Sequence, residues 1–153
     1  MTDHDDVVIR RATEADLAAV VALLADDALG AGRESPEDLN PYRRAFDMID
    51  ADDHELLVVA DRAGRIVGTL QLSLLPGLSR RGSLRAQIEG VRVASGERGN
   101  ALGIRLMGWA IDRAREQDCR LVQLTSDKAR PDAHRFYERL GFVATHEGFK
   151  LSL

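Results

Sequence analysis

Apolar positions at the start of this chain change from the spacing of a strand to the spacing of a helix. Residues 7–11 (Val-Val-Ile-Arg-Arg) predict a short strand. Thr13 is the expected N-cap of the helix that follows, with Asp16 in the place of the capping-box acid. The apolar residues of that helix recur at helical spacing and are Leu17, Val20, Val21 and Leu24.

A second helix is predicted where Asn40 precedes Pro41, because asparagine favours the N-cap and proline favours the first turn. The apolar face of this helix consists of Tyr42, Phe46 and Ile49. Between the two helices, residues 29–33 (Leu-Gly-Ala-Gly-Arg) predict a flexible loop. The first strand is therefore followed by two helices in succession.

Strand patterns dominate the middle of the chain. Residues 55–61 and 66–75 predict a hairpin closed by a turn at 62–65, and Pro76 with Gly77 ends its second strand. Residues 84–93 predict a third strand. A long helix over 102–117 follows, and its expected buried stripe is Ile104, Met107, Ile111 and Ala114.

The last part of the chain predicts a strand over 120–125 and a helix over 131–140 that Gly141 stops. Residues 142–153 predict a final hairpin around Glu147 and Gly148. The order of elements is then β-α-α-β-β-β-α-β-α-β-β, in one domain over residues 1–153. This order is typical of an α/β (α+β) fold in which a mixed sheet carries helices on both faces.

Composition and charge narrow the class of protein. The chain has 153 residues, 44% of them hydrophobic and 30% charged, which is ordinary for a soluble globular domain. The net charge is −4 and Lys and Arg do not cluster on one face, so we expect no nucleic-acid partner. The longest apolar run, 17–25, is too short to span a bilayer, and the acidic start lacks a secretory signal. We therefore expect a cytoplasmic protein without a membrane partner.

The loop over 98–103 (Arg-Gly-Asn-Ala-Leu-Gly) joins a strand to the long helix and has the composition of a phosphate-binding site. Backbone N–H groups at a helix N-terminus, together with the helix dipole, bind phosphate. Gly99 and Gly103 allow a diphosphate to approach closely, and Arg98 adds a cation. Taken alone, the pattern is also that of an ordinary strand-to-helix connection.

A second motif, over 133–142 (Ala-His-Arg-Phe-Tyr-Glu-Arg-Leu-Gly-Phe), resembles the C-terminal signature of the GNAT N-acetyltransferase superfamily. The loop over 98–103 resembles the pyrophosphate loop of that family, Gln/Arg-x-x-Gly-x-Gly/Ala, and the element order is also the family's. The resemblance covers nearly the whole chain. It implies a mostly antiparallel central sheet and a transfer of an acetyl group from acetyl-CoA to an amine.

The resemblance also implies which residues contact acetyl-CoA. The backbone of Val91, Arg92 and Val93 would hold the pantothenate arm. Ser126, Asp127 and Phe136 would lie near the same cofactor. The pyrophosphate would be bound by the loop and the first turn of the helix, that is by Arg98, Gly99, Asn100, Ala101, Leu102, Gly103 and Ile104.

Ala101 stands where the family's loop has its middle glycine. The family uses the backbone N–H at this position, and alanine retains it. Because the loop is turning into a helix, we expect a negative φ at Ala101, where alanine costs nothing. At a positive φ, alanine would cost about 1 kcal/mol relative to glycine.

Two side chains are candidates for proton transfer. A primary amine is protonated at neutral pH and must lose a proton before it attacks the thioester. Glu89, in the strand that leads to the loop, is the candidate general base, directly or through water; the alternative is a solvent-facing glutamate without a role. Tyr137 matches the family's general acid for the leaving thiolate, and the alternative is a packed aromatic. The resemblance assigns the backbone N–H of Val91 to the oxygen that becomes negatively charged.

The sequence says least about the acceptor, the amine that receives the acetyl group. Arg130, His134 and His146 are candidates for contacts with it. The stretch from Gln87 through His146 is similar to the aminoalkylphosphonate N-acetyltransferases within the family, which favours a small-molecule amine. The basic residues Arg80, Arg81 and Arg85 indicate an acceptor with an anionic group.

Other interpretations stay open at this point. The acceptor could instead be a protein N-terminus or lysine, and the chain could be a non-catalytic acyl-CoA sensor. A homodimer is one alternative for the oligomeric state. No pair of histidines has convincing metal-ligand spacing, so no metal is expected. The single cysteine, Cys119, is interpreted as a small buried apolar residue rather than a nucleophile.

Overall fold

The computed structural model describes residues 6–99 and 101–153. This part of the chain forms two compact units, one ending at Gln123 and the other beginning at Leu124. That the whole chain acts as a single domain over 1–153 stays a prediction from the sequence.

The first unit is built on a sheet with the strand order β1-β2-β3-β4-β5. The three neighbouring pairs from β1 to β4 are antiparallel, which confirms the mostly antiparallel sheet of the expected fold. The strands are β1 Val7–Arg11, β2 Glu55–Arg62, β3 Arg65–Leu75, β4 Arg85–Val93 and β5 Leu121–Leu124. The longer helices of this unit are α1 Leu17–Ala25, α2 Asn40–Asp50 and α3 Leu102–Glu116. A short turn, Ser79–Gly82, lies between β3 and β4, and in it Arg80 and Arg81 have φ values of 55° and 61°.

The hairpin between β2 and β3 has a two-residue loop whose conformation fits its sequence. Ala63 and Gly64 have φ values of 50° and 91°. Positive φ at both central residues is the type I′ geometry, which matches the right-handed twist of the flanking strands. The predicted hairpin is confirmed, and its strands extend one residue further into the turn than predicted.

Helices α1 and α3 cover opposite faces of the sheet. Val59 of β2 packs with Val20 of α1. The side chain of Ala60 points to the other face, because side chains alternate along a strand. On that face a Cβ at Gly68 would lie 3.4 Å from the Cβ of Ala60 and 2.9 Å from Leu106 of α3. Glycine at position 68 therefore lets α3 pack closely, and the prediction of helices on both faces is confirmed.

The entry into α1 follows the sequence prediction. Thr13 precedes a 3-10 turn, Glu14–Asp16, that leads directly into the helix. The backbone N–H of Thr13 donates to Oδ2 of Asp16 at 2.7 Å, which is the capping-box contact. Asp16 is also held by Arg10, whose Nη1 and Nη2 donate to the two carboxylate oxygens at 2.7 and 2.9 Å.

The segment between α1 and α2 is more ordered than the predicted flexible loop. It contains a 3-10 turn, Gly30–Gly32, in which Gly30 is buried. A Cβ at Gly30 would lie 2.0 Å from the carbonyl oxygen of Leu24, so only glycine fits at this position. Helix α2 then begins at Asn40, and the prediction of Asn40 as the cap is wrong by one residue. Leu39 is the N-cap instead.

The buried side of α3 is rotated from the predicted stripe. Met107 and Ala114 are buried as expected, whereas the prediction is wrong for Ile104, which is 53% exposed. The reason is that the helix starts at Leu102, whose burial selects the row of residues four apart that faces the sheet. The buried residues are Leu102, Leu106, Met107, Ala110 and Ala114.

The second unit contains helix α4, Pro131–Arg139, and ends it as the sequence predicts. Gly141 has a φ of 96°, and its N–H donates to the carbonyl of Glu138 at 3.0 Å. The N–H of Phe142 donates to the carbonyl of Tyr137 at 3.1 Å. These two bonds form a Schellman motif, which requires a left-handed residue at position 141.

The predicted final hairpin over 142–153 is wrong, because residues 143–153 form neither strand nor helix. Their apolar side chains are exposed, as Phe149 at 94% and Leu151 at 88% illustrate. The alternating pattern is that of a strand, but a strand also needs a neighbour to which its backbone can bond. Among the described residues, no strand pairs with this segment.

Candidate active site

Strand β4 carries a bulge directly after Glu89. Glu89 and Arg92 are three positions apart on β4, yet they pair with residues only two apart on β3. The extra residue falls at Gly90 and Val91, and Gly90 has a φ of 61°. A left-handed glycine is typical of such a bulge, which re-aims backbone groups away from the regular ladder. The pairing of β3 with β4 therefore skips Val91, the residue whose backbone N–H is expected to donate to the developing negative charge.

Glu89 itself is exposed beside this bulge. Its carboxylate accepts a hydrogen bond from Nε2 of Gln87, and Oε1 of Gln87 accepts one from Nε2 of Gln123 at 2.9 Å. These contacts align polar side chains on β4 and β5 next to the bulge. The exposure agrees with the solvent-facing alternative for Glu89, and its role as general base stays a prediction.

Among the described residues of the loop after β4, two lie in the left-handed region. Gly99 has a φ of 86°, and Ala101 has a φ of 62° and a ψ of 12°. The expectation of a negative φ at Ala101 is wrong, because Ala101 is the N-cap of α3 and not yet part of the helix. Alanine therefore costs about 1 kcal/mol here relative to glycine. Asn100 lies outside the described residues.

The first turn of α3 has the geometry of an anion site. The first bond of the helical ladder runs from the N–H of Arg105 to the carbonyl of Ala101, at 3.1 Å. The N–H groups of Leu102, Gly103 and Ile104 precede that bond and point along the helix axis. The helix has 15 residues, so its dipole adds positive potential at this end. The fully buried Leu102 fixes the start of the helix against the sheet.

A buried carboxylate immediately precedes this loop. Glu97 ends the 3-10 turn Ser95–Glu97 and is only 6% exposed. Its two oxygens accept hydrogen bonds from Nε and Nη2 of Arg62, at 3.2 and 2.9 Å, and Nη2 of Arg65 lies 3.3 Å away. This forked ion pair ties the start of the loop to the hairpin between β2 and β3. Glu97 was not among the site residues expected from the sequence. The one local sign of its role is an acidic residue directly before the loop.

Arg92 on β4 and Arg98 in the loop after β4 connect these two segments to the residues at the end of α1. Nε of Arg92 lies 3.5 Å from Oδ2 of Asp27, and Nη1 of Arg92 donates to the carbonyl of Val91 at 2.8 Å. The exposed Arg98 reaches the carbonyl of Asp26 at 3.4 Å. Arg92 is thus a structural contact as well as a candidate cofactor residue, whereas Arg98 keeps its guanidinium at the surface.

The second unit holds the candidate general acid. The ring of Tyr137 is half-buried and packs edge-to-face against Phe136 and Phe142, with ring centroids 5.3 and 6.0 Å apart. Such packing restricts the ring and therefore the direction of its hydroxyl. Tyr137 is therefore a packed aromatic residue. This packing is compatible with a role as general acid, which stays a prediction.

Asp127 organises the turn that precedes α4. Its Oδ1 accepts the N–H of Ala129 at 2.9 Å, and its carbonyl accepts the N–H of Arg130 at 3.0 Å. The same carbonyl lies 2.9 Å from Nε2 of His134. Among the predicted site residues, Asp127, Arg130 and His134 are therefore brought together in one turn.

The other predicted contacts of this unit are more separate. Ser126 is half-buried before that turn. His146 is exposed within the 143–153 segment, and its Nδ1 lies 2.7 Å from Oγ1 of Thr145. These positions do not assign a role to either residue, so the cofactor contact of Ser126 and the acceptor contact of His146 stay predictions.

Three further observations concern a metal site, a membrane-spanning helix and the single cysteine. Within residues 6–99 and 101–153, no group of three or more His, Cys, Asp or Glu side chains is arranged to hold a metal ion. In the same residues, no helix has the length and apolar character needed to cross a membrane. Burial raises the pKa of the half-buried Cys119 thiol, which weakens it as a nucleophile.

The acetyltransferase (GNAT) family matches residues 17–142, a range that includes the bulge, the loop before α3 and Tyr137. The chain belongs to this family. As a GNAT acetyltransferase it is an acyltransferase that uses acetyl-CoA as its acyl donor.

Two GNAT relatives match the chain over its whole length. An aminoalkylphosphonate N-acetyltransferase of Salmonella typhimurium is 29% identical, covering 100% of this chain and 98% of the relative. A glucosamine 6-phosphate N-acetyltransferase of Trypanosoma brucei brucei is 32% identical and covers 100% of both proteins. The residues that these enzymes use are not thereby assigned to this chain.

Solved structures of other proteins share this GNAT fold. A protein from Bacillus halodurans, described as a transcriptional regulator, superposes with a TM-score of 0.92 at 51% identity, over 96% of this chain and 99% of its own. An acetyltransferase from Clostridium acetobutylicum, solved with acetyl-CoA, gives a TM-score of 0.74 at 20% identity, over 95% and 96% of the two chains. At that identity the second likeness concerns the fold alone.

Proposed function

We propose that this GNAT acetyltransferase transfers an acetyl group to the primary amine of a small molecule by direct attack of the amine on the thioester. The observation that carries the proposal is the bulge at Gly90 and Val91, which separates Glu89 from the loop and lies outside the regular ladder. The carboxylate of Glu89 and the backbone N–H of Val91 are thus two positions apart on one strand, at a point where the regular ladder is interrupted.

The residues of the loop fit a diphosphate. Arg98 is exposed, a Cβ at Gly99 would meet nothing within 4 Å, and the N–H groups at the start of α3 precede the first helical bond. Space, positive charge and backbone donors are what a pyrophosphate requires. The proposed contacts are those expected from the sequence, from Arg98 to Ile104, with the backbone of Val91 to Val93 along the pantothenate arm.

Acetyl-CoA supplies the thioester carbonyl, and the chain supplies the proton transfers. Glu89 accepts the proton that the ammonium group must lose, directly or through a water molecule. The N–H of Val91 donates to the carbonyl oxygen as negative charge develops there. The hydroxyl of Tyr137, directed by the packing of Phe136 and Phe142, donates a proton to the departing sulfur.

The acceptor we propose is a small amine that also carries a phosphonate or phosphate group. The two full-length relatives are described as acting on an aminoalkylphosphonate and on glucosamine 6-phosphate. The basic residues Arg80, Arg81 and Arg85 are the chain's counterpart to such an anion. Arg130, His134 and His146 are the proposed contacts from the second unit.

The test is an acceptor screen with acetyl-CoA in which the released thiol is measured. Glucosamine 6-phosphate is compared with glucosamine, and an aminoalkylphosphonate with the matching alkylamine, so that each pair isolates the anionic group. Polyamines and basic peptides complete the panel. We expect turnover with small amines and a higher kcat/KM for the anionic member of each pair. A preference for peptides would overturn the proposed acceptor class.

A second candidate role for this acyltransferase is regulatory, because the Bacillus halodurans neighbour is described as a transcriptional regulator. The same screen bears on that role. A chain that acts chiefly as an acyl-CoA sensor would bind acetyl-CoA in a calorimetric titration and release little thiol with any small amine, whereas the proposed enzyme both binds acetyl-CoA and turns over.

A further inference from the structure

One face of β4 is polar from the start of the strand to Glu89. Polar and apolar residues alternate here, and side chains alternate between the two faces of a strand. The apolar residues Ala86 and Ile88 are buried on one face. On the other face Arg85 and Gln87 are half-buried and Glu89 is exposed. Because Glu89 is the proposed general base, the acceptor amine must lie over this polar face.

The polar side chains form a row of hydrogen bonds that all run in one direction. Nη1 of Arg85 donates to Oε1 of Gln123 at 3.4 Å, and Nε2 of Gln123 donates to Oε1 of Gln87 at 2.9 Å. Nε2 of Gln87 then donates to the carboxylate of Glu89. A guanidinium only donates and a carboxylate only accepts, so the two ends fix the orientation of both amides. This polar row therefore has a positive end and a negative end.

Strand β3 extends the polar face beside the negative end. Gln71 pairs directly with Glu89, and Ser73 pairs with Gln87. Both β3 side chains are held by Glu55 of β2, because Nε2 of Gln71 and Oγ of Ser73 donate to its Oε2 at 3.0 and 2.7 Å. With its nitrogen directed to Glu55, Gln71 presents its Oε1 as an acceptor. Directly opposed residues have Cβ atoms about 4.5–5.5 Å apart, so an ammonium group at Glu89 has a second oxygen nearby.

The two charged ends of the polar row are far apart for a small molecule. Arg85 and Glu89 are four positions apart on β4, and at the rise of a strand their Cα atoms are separated by about 13 Å. A short aminoalkylphosphonate, in which the anion is a few bonds from the amine, does not contact both ends. A longer amine with hydroxyl groups before its phosphate fits the whole row, because hydroxyl groups both donate to and accept from amides.

We propose that the polar row selects the acceptor, and that the acceptor is a hydroxylated amine whose phosphate lies many bonds from the amine, as in an amino sugar phosphate. The amine binds at Glu89 and Gln71, the hydroxyl groups contact the two amides of the row, and the phosphate binds Arg85. This inference rests on the proposed function and deepens it, because it separates amino sugar phosphates from short aminoalkylphosphonates and assigns the anion to Arg85 in particular.

The first test measures how the rate depends on the distance between amine and anion. Straight-chain amino alkyl phosphates of increasing length are compared by thiol release from acetyl-CoA. We expect kcat/KM to rise about tenfold or more from aminoethyl to aminohexyl phosphate, since only the longer molecule gains the charged hydrogen bond. A rate that is independent of length, or highest for the shortest chain, would overturn the inference and leave the proposed function standing. A protein that acetylates no small amine would overturn both.

The second test changes the polar row itself. Arg85→Gln should lower kcat/KM for glucosamine 6-phosphate by about tenfold or more, mainly through KM, and Arg85→Lys should recover part of the loss because it keeps the charge. Gln123→Leu should affect glucosamine 6-phosphate more than aminohexyl phosphate, which has no hydroxyl group on its chain. Arg115→Gln, at an exposed arginine of α3, is the control, and urea unfolding checks that each variant is folded. An Arg85→Gln variant that keeps the full preference for glucosamine 6-phosphate over glucosamine would overturn the inference.

Discussion

Glu97 and Arg62 form a nearly buried forked ion pair, with contacts of 2.9 and 3.2 Å, that joins the start of the cofactor loop to the β2–β3 hairpin. The side chains are 7% and 17% exposed, so water cannot readily replace either partner. If one partner were removed, the other would be left as a buried, uncompensated charge, so the pair contributes to the stability of the fold. Because it joins the loop to the hairpin, the pair also fixes the position of the loop.

Glu97→Gln should lower the free energy of unfolding by about 3 kcal/mol, since breaking a buried pair costs roughly 3–5 kcal/mol and Gln keeps part of the hydrogen bonding. We also expect a higher KM for acetyl-CoA with a smaller change in kcat. Urea denaturation and steady-state kinetics measure the two effects. Asp112→Asn, which removes the exposed contact with Arg115, is the control and should change neither. An unchanged KM in a stable Glu97→Gln variant would show that the pair does not position the loop.

Ala101→Gly should raise the free energy of unfolding by about 1 kcal/mol, because glycine adopts φ near 62° without the cost that alanine carries. The same change at the exposed Ala45, inside α2, should lower it by about 1 kcal/mol, since a right-handed helix favours alanine. Thermal or urea unfolding of the two variants gives the comparison. Destabilisation at both positions would mean that Ala101 is not left-handed in solution.

The contact between Arg10 and Asp16 makes the free energy of unfolding depend on pH in the acidic range. The hydrogen bonds from Arg10 lower the pKa of Asp16 to about 2, from about 3.9 in an unfolded chain. A lowered pKa stabilises the fold above pH 4 or so, and that stabilisation is lost as the pH falls towards 2. Asp16→Asn should therefore cost about 2 kcal/mol at neutral pH and flatten the acid limb of the stability curve, at about 1.4 kcal/mol per pKa unit. If urea titrations at several pH values gave parallel curves for both proteins, this assignment would be wrong.

Gly90→Ala tests the bulge. Alanine at a φ of 61° should cost about 1 kcal/mol of stability, while its Cβ would meet Leu24 at an ordinary 3.6 Å. If Val91 donates to the developing charge, the shifted backbone should also lower kcat by about tenfold or more. Gly64→Ala is a matched control with a positive φ in the β2–β3 turn, and it should cost similar stability without affecting kcat.

Tyr137→Phe and Glu89→Gln should each lower kcat by about 10²–10⁴-fold, the usual contribution of a general acid or base, with little change in acetyl-CoA affinity. Tyr42→Phe removes the hydroxyl of the chain's other tyrosine, and Glu116→Gln changes an exposed acid at the end of α3, so both are controls. Stopped-flow or steady-state rates with the best acceptor measure the effect. Near-wild-type rates for both catalytic variants would remove these residues from the mechanism.

Much of the fold could be predicted because it depends on local patterns. The strands and helices up to α4 follow the apolar spacing, and the Gly141 stop and the Thr13–Asp16 cap are short-range contacts. The family motifs, likewise, lie in continuous stretches around the loop and Tyr137. The buried face of α3 was partly wrong because several apolar rows exist on that helix, and only the packing against the sheet selects one.

The sequence by itself determined the order of elements, the phosphate-type loop and the membership of the GNAT family, since each is carried by neighbouring residues. Only the tertiary structure decided the left-handed conformation of Ala101, the bulge at Gly90 and Val91, and the ion pair of Glu97 with Arg62, 35 positions away. These features depend on strand register and on contacts between residues distant in the chain, which no local pattern encodes. The same holds for residues 143–153, whose alternating pattern predicts a strand that the structure does not form.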